Sequence, residues 1–593
     1  MTVNPYIINA RENLNTAEIN INEVLLKDNG QWMHFSQPQH IISTQNLNDV
    51  VPALRKIEEL IKANDWHAAG FLSYEASSAF DEVLQTHPET GGFPYLWFGL
   101  YPPPRIVTLP EPDPVKEILP WLPTVDHDTY NLAIQQIKNH IAEGQTYQVN
   151  YTMRLQTNFK IDPWDFFLHL VQTQNNHAAY IHAGRYIVCS ASPELFFQLD
   201  GNTITSRPMK GTIHRGRTTL EDLEQAQALK DSEKNRAENV MIVDMIRNDL
   251  GRIAEIGSVK VPKLFTVEKY STLWQMTSTV QAKTDASLAD IFTALFPCSS
   301  ITGAPKASTM RIISNLETTP RKIYTGSIGY IAPNRKAKFS VAIRTALIDR
   351  DSQTAEYGIG GGVVWDSTST DEYAEALLKA RVLTNQTPQF SLFETMLWTP
   401  EEGFFLREKH IARLLDSANY FDFPVSRTRF ETYLDQISSQ FKSPQRTRLL
   451  LDKNGNLNYE AKHFQSLGDQ LPMKICLAQE SVNSGNVFLF HKTTYRDVYK
   501  SACKDFPAHD DVLLYNERGE LTEFTIGNLV VEMENKLFTP PVSCGLLPGT
   551  FRAHLLETHV VEEKIIQLDE LKYCTKIFLV NSVRKWQRVV QLG

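Results

Sequence analysis

Along this chain of 593 residues, apolar positions recur at helical spacing in some stretches and alternate in others. Val51, Leu54, Ile57, Leu60 and Ile61 line one face of a helix over 50–61. Ile134, Ile137 and Ile141 do the same over 128–143, with Gly144 as the C-terminal stop. Tyr147 to Tyr151 alternates like a strand. Over 232–250 the middle, Met241-Ile242-Val243 with Met245-Ile246, is apolar nearly all round and predicts a buried helix. Glu238, Asp244, Arg247 and Asn248 would then need partners. Leu195 to Leu199 and Asn202 to Thr205 flank Asp200-Gly201, a hairpin signal that sets Leu199 opposite Asn202, Leu195 opposite Ser206 and Glu194 opposite Arg207. Pro208 ends the ladder there. Lys210 follows three residues after Arg207, which puts it within about 10 Å of Glu194 at the open end. A carboxyl and an amine so held suit acid and nucleophile roles, or a plain surface ion pair.

Later stretches extend the pattern. Pro305, preceded by Gly303 and hydroxyl residues, opens a helix through Met310, Ile313 and Leu316, with free N–H groups for an anion or an ordinary cap. Residues 338–348 read as one strand with Ser340, Ala342, Arg344 and Ala346 on one face, a cavity floor or a solvated face. Gly358, Gly360, Gly361 and Gly362 mark a bulge or a close backbone approach. Ser369 with Glu372 forms a capping box at the next helix, which leaves Glu375 unexplained by capping. Near 387 the character changes. Val487 to Phe490 reads as a strand before His491-Lys492, and His410 with Arg413 and Ser417 lies on a helix.

Size implies three or four domain-sized units. The prolines at 102–104 and 110–114 mark a stiff crossing between subregions. The domains expected are 1–115, 116–385 and 386–593. A formal charge of -9 without a Lys/Arg block argues against nucleic acid or an anionic membrane as partner. The first twenty residues carry Arg11, Glu12 and Glu18 and do not read as a signal peptide. Six scattered cysteines lack CxxC spacing, and a cytoplasmic location is expected.

Ser192-Pro193-Glu194, Arg207 to Thr212, Ala237-Glu238-Asn239, Asp244 to Leu250, Ser300 to Lys306, Ile343-Arg344-Thr345, Gly360-Gly361-Gly362 and Glu372 to Glu375 stand in the order seen in chorismate-utilising enzymes. Residues 1–385 resemble the component I family of aminodeoxychorismate synthases. The resemblance implies an α/β (α+β) fold, with a large two-sheet chorismate-binding domain under covering helices. It implies that Lys210 adds to C2 of chorismate while Glu194 protonates the departing C4 hydroxyl, and that ammonia then takes C4. Burial or a nearby cation would have to lower the pKa of Lys210. Glu238 and Glu375 match magnesium carboxylates. Tyr324, Arg344, Gly358, Gly360 and Lys306 match positions holding the substrate carboxylates, and Thr302 is placed with them. Gln275 replaces a histidine common in relatives and retains only hydrogen bonding. Anthranilate synthases carry alanine where Lys210 stands, which makes that activity the alternative.

Phe393-Glu394-Thr395, His491 to Arg496, Leu521-Thr522-Glu523 and Leu546 to Arg552 resemble class IV pyridoxal-phosphate enzymes, in particular the 4-amino-4-deoxychorismate lyases, over 389–593. This smaller α/β domain would hold pyridoxal phosphate through Lys492, with Glu523 on the pyridine nitrogen and Arg413, Thr550, Phe551 and Ser582 around the phosphate. The implied sum is a two-step route from chorismate to 4-aminobenzoate for folate synthesis. A transaminase or an inactive docking module is the competing reading of the C-terminal part. The chain shows no cysteine in a strand-to-helix elbow, so a separate glutamine amidotransferase subunit or free ammonia would supply nitrogen. The resemblance also leaves room for a homodimer through the C-terminal domain.

Overall fold

A computed structural model describes residues 12–13, 19–89, 91–113, 117–173, 176–384, 388–465, 472–504 and 506–591. The expected boundaries at 115/116 and 385/386 and most of the first twenty residues lie outside these. The chain forms two compact units: Met1–His214 with Gln227–Thr387, and Arg215–Ala226 with Pro388–Gly593. No helix among the described residues is long and apolar enough to cross a membrane.

The first unit is built on an eleven-stranded and a ten-stranded sheet. Val24, Ile181, Val188 and Leu347 of the larger sheet meet Phe71, Trp97 and Ile328 of the smaller in one apolar cluster, so the two sheets share a core. Helices cover the outer faces. Val50–Asn64, Glu233–Gly251 and Leu288–Leu295 pack on the smaller sheet. His127–Ala142, Pro163–Thr173 and Ser369–Lys379 lie over the larger one. Side-chain caps fix their starts: Asp126 accepts from the Thr129 amide, and Ser232 from that of Asn235. Phe292 packs against Phe196, Phe197, Phe296 and Phe339. Truncating it to alanine would cost about 3–5 kcal/mol. Pro102–Pro104 carry the chain from strand Leu96–Tyr101 of the smaller sheet to Arg105–Thr108 of the larger, the crossing expected.

Several local readings are corrected. The hairpin turns at Gly201-Asn202, so that Leu199 faces Ile204 and, past a bulge, Leu195 faces Arg207. Gly201 takes the positive φ of 58° that the turn demands. Pro208 does not end pairing, because Met209–His214 continues along Leu273–Lys283. The helix Glu233–Gly251 is amphipathic in place: Asp244 and Arg247 pair with each other in solvent, and Asn248 is exposed. Lys336–Val341 and Thr345–Asp349 are separate strands of different sheets, with Arg344 at φ 52° in the gap. The glycine strand Thr354–Val363 pairs without a bulge along Gln148–Asn158. Thr368, not Ser369, caps the next helix, and Glu372 accepts from Ser367 Oγ instead. Pro305 sits at the N-cap of Lys306–Leu316, outside its first turn.

The second unit has a four-stranded antiparallel sheet packed by helices Arg407–Phe421 and Arg427–Ser438, and an eight-stranded mixed sheet. Val487–Leu489 is a short 3-10 turn where a strand was expected. The two units match the predicted order, a large two-sheet domain followed by a smaller α/β one.

Candidate active sites

In the first unit, Pro193 breaks the chain between strands Tyr186–Ser192 and Leu195–Asp200, and Glu194 lies buried in the break. Burial pushes its carboxyl up to about 7, against the pull of a hydrogen bond from Ser300 and the charge of Lys210. Ser300 Oγ donates to Oε1 at 2.7 Å. Lys210 projects from Met209–His214, half-buried, with its amine 3.3 Å from Glu238. Its ionic partner is a carboxylate rather than the nearby cation that was one of the two expected surroundings, the other being burial. The strand is held from behind: Asn239 Nδ2 donates to the Lys210 carbonyl at 3.2 Å, and Gln275 Nε2 to the Gly211 carbonyl at 2.8 Å. Thr212 Oγ1 donates to the other end of the Gln275 amide at 3.0 Å. Gln275 thus anchors the strand of Lys210. Gly211 has φ 99°, and a Cβ there would lie 3.1 Å from Asn235.

The remaining predicted residues divide. Thr302 is fully buried and its carbonyl accepts from the Asn150 amide. Lys306 is engaged with Asp249 at 2.9 Å and the Leu295 carbonyl. Tyr324 is buried beneath Gly358, where a Cβ would fall 2.0 Å from its ring. A Cβ on Gly360 would strike the Tyr151 carbonyl. These glycines keep the strand close to its neighbours. Arg344 is half-buried, and burial lowers its pKa. Glu375 is exposed and pairs with Lys379 at 2.9 Å, whose ammonium holds its carboxyl below the ordinary range. The charge of Lys210 reaches Glu194, Glu372 and Glu375.

Sequence reasoning missed Gln148. Its side chain is buried, with neither amide atom hydrogen-bonded among the described residues. A Cβ built on Gly362 would lie 2.5 Å from Gln148 Nε2 and 2.9 Å from Lys210 Nζ, so amide and amine share one small space. Only the strand alternation around Gln148 was visible beforehand, and alternation is silent about which inward residue meets a lysine sixty positions on.

In the second unit, desolvation and the Arg413 charge push the Lys492 amine down to about 7. The amine stands 4.8 Å from the centre of the Phe393 ring, and Phe393 N donates to the Lys492 carbonyl. Glu523, on strand Leu521–Phe524, is buried and pushed up to about 7 by desolvation. It accepts from Tyr499 OH at 2.8 Å, the Leu547 amide and Asn528 Nδ2. Arg413, on helix Arg407–Phe421, grips Glu394 through Nε at 2.8 Å and Nη2 at 2.6 Å, and donates to the Pro548 carbonyl. Burial raises the Glu394 carboxyl, but Arg413 and His410 overcome it and bring it down to about 2. His410 bridges Glu394 at 2.7 Å and Thr550 Oγ1 at 3.2 Å. Thr550 and Phe551 open helix Thr550–Glu557, and Gly549 before it leaves no room for a Cβ beside Asn528 Oδ1. Ser582 Oγ donates to the Thr395 carbonyl. Tyr499 and the Glu394–His410 link were not anticipated, because neither carries a local signal.

A lowered amine, a buried carboxyl and an open helix start fit pyridoxal phosphate. Two carboxylates on different helices, Glu238 and Glu375, are hard donors of the kind Mg2+ takes. No group of three His, Cys, Asp or Glu side chains among the described residues could hold a metal ion.

Comparison with known proteins agrees with this division. Residues 106–385 match the chorismate binding enzyme model, and 391–592 the amino-transferase class IV model. Component 1 of aminodeoxychorismate synthase from Klebsiella aerogenes is 39% identical over 269 residues, covering 45% of this chain and 59% of that protein. The chloroplastic aminodeoxychorismate synthase of Arabidopsis thaliana is 39% identical over 290 residues, 48% of this chain and 31% of that one. The chain spans between 30% and 59% of the length of such curated relatives. Anthranilate synthase component I from Streptococcus pneumoniae superposes with a TM-score of 0.51 at 25% identity, over 62% of this chain and 91% of that structure. Residues 106–385 are therefore similar to the chorismate binding enzymes and residues 391–592 to the class IV amino-transferases, two family models side by side in one chain.

Proposed function

We propose that the first unit aminates chorismate at C4 and that the second eliminates pyruvate from the product, giving 4-aminobenzoate. The observation that carries this reading is a primary amine, Lys210, whose charge acts on a buried acid, Glu194, in a domain whose curated relatives are named aminodeoxychorismate synthases. Lys210 Nζ adds at C2, both ring double bonds shift by one position, and the C4 hydroxyl leaves as water with the proton of Glu194. Ammonia attacks C4, both double bonds shift back, and the Lys210 amine is expelled from C2. Glu194 is suited to the acid step because burial keeps its proton near neutral pH. Glu238 and Glu375 would hold Mg2+ together with a substrate carboxylate, where the ion neutralises charge.

In the second unit Lys492 would carry pyridoxal phosphate, with Glu523 against the pyridine nitrogen and Arg413, Thr550, Phe551 and Ser582 near the phosphate. Bound there, the cofactor supplies an electron sink for a carbanion at C4. Lys492 Nζ removes the C4 proton, and a pKa about 7 lets it alternate between base and acid. Loss of the enolpyruvyl group as pyruvate makes the ring aromatic. Ammonia would come from a separate glutamine amidotransferase subunit, as the relatives' designation "component 1" suggests.

The test is pure protein with chorismate, ammonia and Mg2+, with products identified by mass and retention time. 4-Aminobenzoate and pyruvate in equal amounts are expected. An ortho-aminated product would make the first unit an anthranilate synthase, and amino-group exchange between amino and keto acids would make the second a transaminase.

A further inference from the structure

Arg215–Ala226 follows directly on the strand of Lys210, yet it clusters with the second unit. Arg215 lies over the Tyr420 ring at 4.3 Å and donates to the Tyr420 carbonyl, while Tyr420 OH donates to the Gly216 carbonyl at 2.6 Å. Arg217 lies over the Phe490 ring at 5.1 Å and donates to the Ser484 carbonyl. Its own carbonyl meets His491 Nε2 at 3.2 Å, across 274 residues of sequence. The other imidazole nitrogen meets Ser417 Oγ at 2.9 Å, on the helix that carries Arg413. A carbonyl only accepts, so Nε2 carries the hydrogen and the Ser417 hydroxyl donates to a neutral ring. Burial, which pushes His491 down to about 4, keeps it neutral near pH 7. His491 is buried and adjoins Lys492 in the chain.

We infer that Arg215–Ala226 is an integral strap of the second unit and that His491 is the positioning residue through which this strap fixes Lys492. The inference rests on the reading of Lys492 as the cofactor lysine. A lysine bonded to a cofactor at one end needs its Cα fixed at the other, and a two-sided imidazole does this without adding charge. A lyase resembling only residues 389–593 would lack this support, which makes the strap a property of the joined chain.

The test uses the full chain and reads each unit separately. Pyridoxal phosphate is titrated into apoprotein, and the visible circular dichroism of its band is recorded alongside chorismate amination. His491→Leu removes both ring bonds, and His491→Gln returns an amide hydrogen near the place of Nε2. Gly216→Ala lies outside both sets of site residues, and its Cβ would fall 2.2 Å from the Asp222 amide nitrogen, so the strap backbone must shift. His491→Leu is expected to weaken cofactor binding at least tenfold and shrink the dichroic band. Gly216→Ala should weaken binding about threefold to fivefold, His491→Gln should recover most of the loss, and amination should stay within twofold throughout. Unchanged cofactor affinity and dichroism in both His491→Leu and Gly216→Ala would overturn the strap, as would equal loss of amination in either. Absence of a cofactor band from the unsubstituted protein would instead overturn the reading of Lys492 itself.

Discussion

Lys210 and Lys492 are offered as amine catalysts of successive reactions, yet their surroundings are opposite in sign. Lys210 contacts Glu238 and reaches Glu194, Glu372 and Glu375 electrostatically. Lys492 is desolvated and faces Arg413 and Arg496, with Glu394 and Glu523 only partly offsetting them. The second lysine is set for chemistry by the protein alone. The first stands among carboxylates. A covalent cofactor needs an amine that is ready before substrate arrives, whereas a nucleophile toward a bound acid can be released by the binding itself.

The largest effects should come from removing each amine. Lys210→Ala is expected to cut amination by at least about 10^3-fold while leaving pyruvate release from supplied 4-amino-4-deoxychorismate within twofold. Lys492→Ala should do the reverse, with the amino intermediate accumulating in the chromatogram. If either substitution disabled both steps, the contrast between the sites would fail. Next, Glu194→Gln should slow amination about 10^2-fold. On the proposed acid role of Glu194, kcat/KM for chorismate should fall as pH rises through about 7. That limb should vanish in Glu194→Gln, and its persistence would assign the proton to another group. The smallest effect concerns stability. Glu394 is held at about 2 when folded and titrates near about 4.3 when unfolded, so its contribution is complete above the higher value and lost as pH falls toward the lower. Acid unfolding of the second unit should therefore flatten over that window in Glu394→Gln. An unaltered curve would show that other carboxylates carry the acid response.

Periodicity revealed helices such as Val50–Asn64 and His127–Ala142 within a few residues, because an apolar face is a local property. It misjudged 233–251, where Met241 and Met245 are only partly buried, Asp244, Arg247 and Asn248 face solvent, and Glu238 meets Lys210. The hairpin was found, but its register was not, since Gly201-Asn202 makes as good a two-residue turn as Asp200-Gly201 and a bulge absorbs the difference. Catalytic candidates were legible as ordered motifs. Their supports were not: Ser300 on Glu194, Gln148 beside Lys210 and His410 between Glu394 and Thr550 join residues far apart in the chain. The strap at 215–226 was the least legible, being a short stretch inside one family's domain that packs with another's.

Gly362 has a consequence of its own. The hydrogen it carries in place of a methyl borders both an amide and an amine, so this spot behaves as a keyhole whose width is one missing carbon. Filling it would press on the far ends of the Gln148 and Lys210 side chains together, and both would have to swing aside for a methyl to enter. A larger residue there would thus re-aim the amine, even though the backbone is ordinary extended strand.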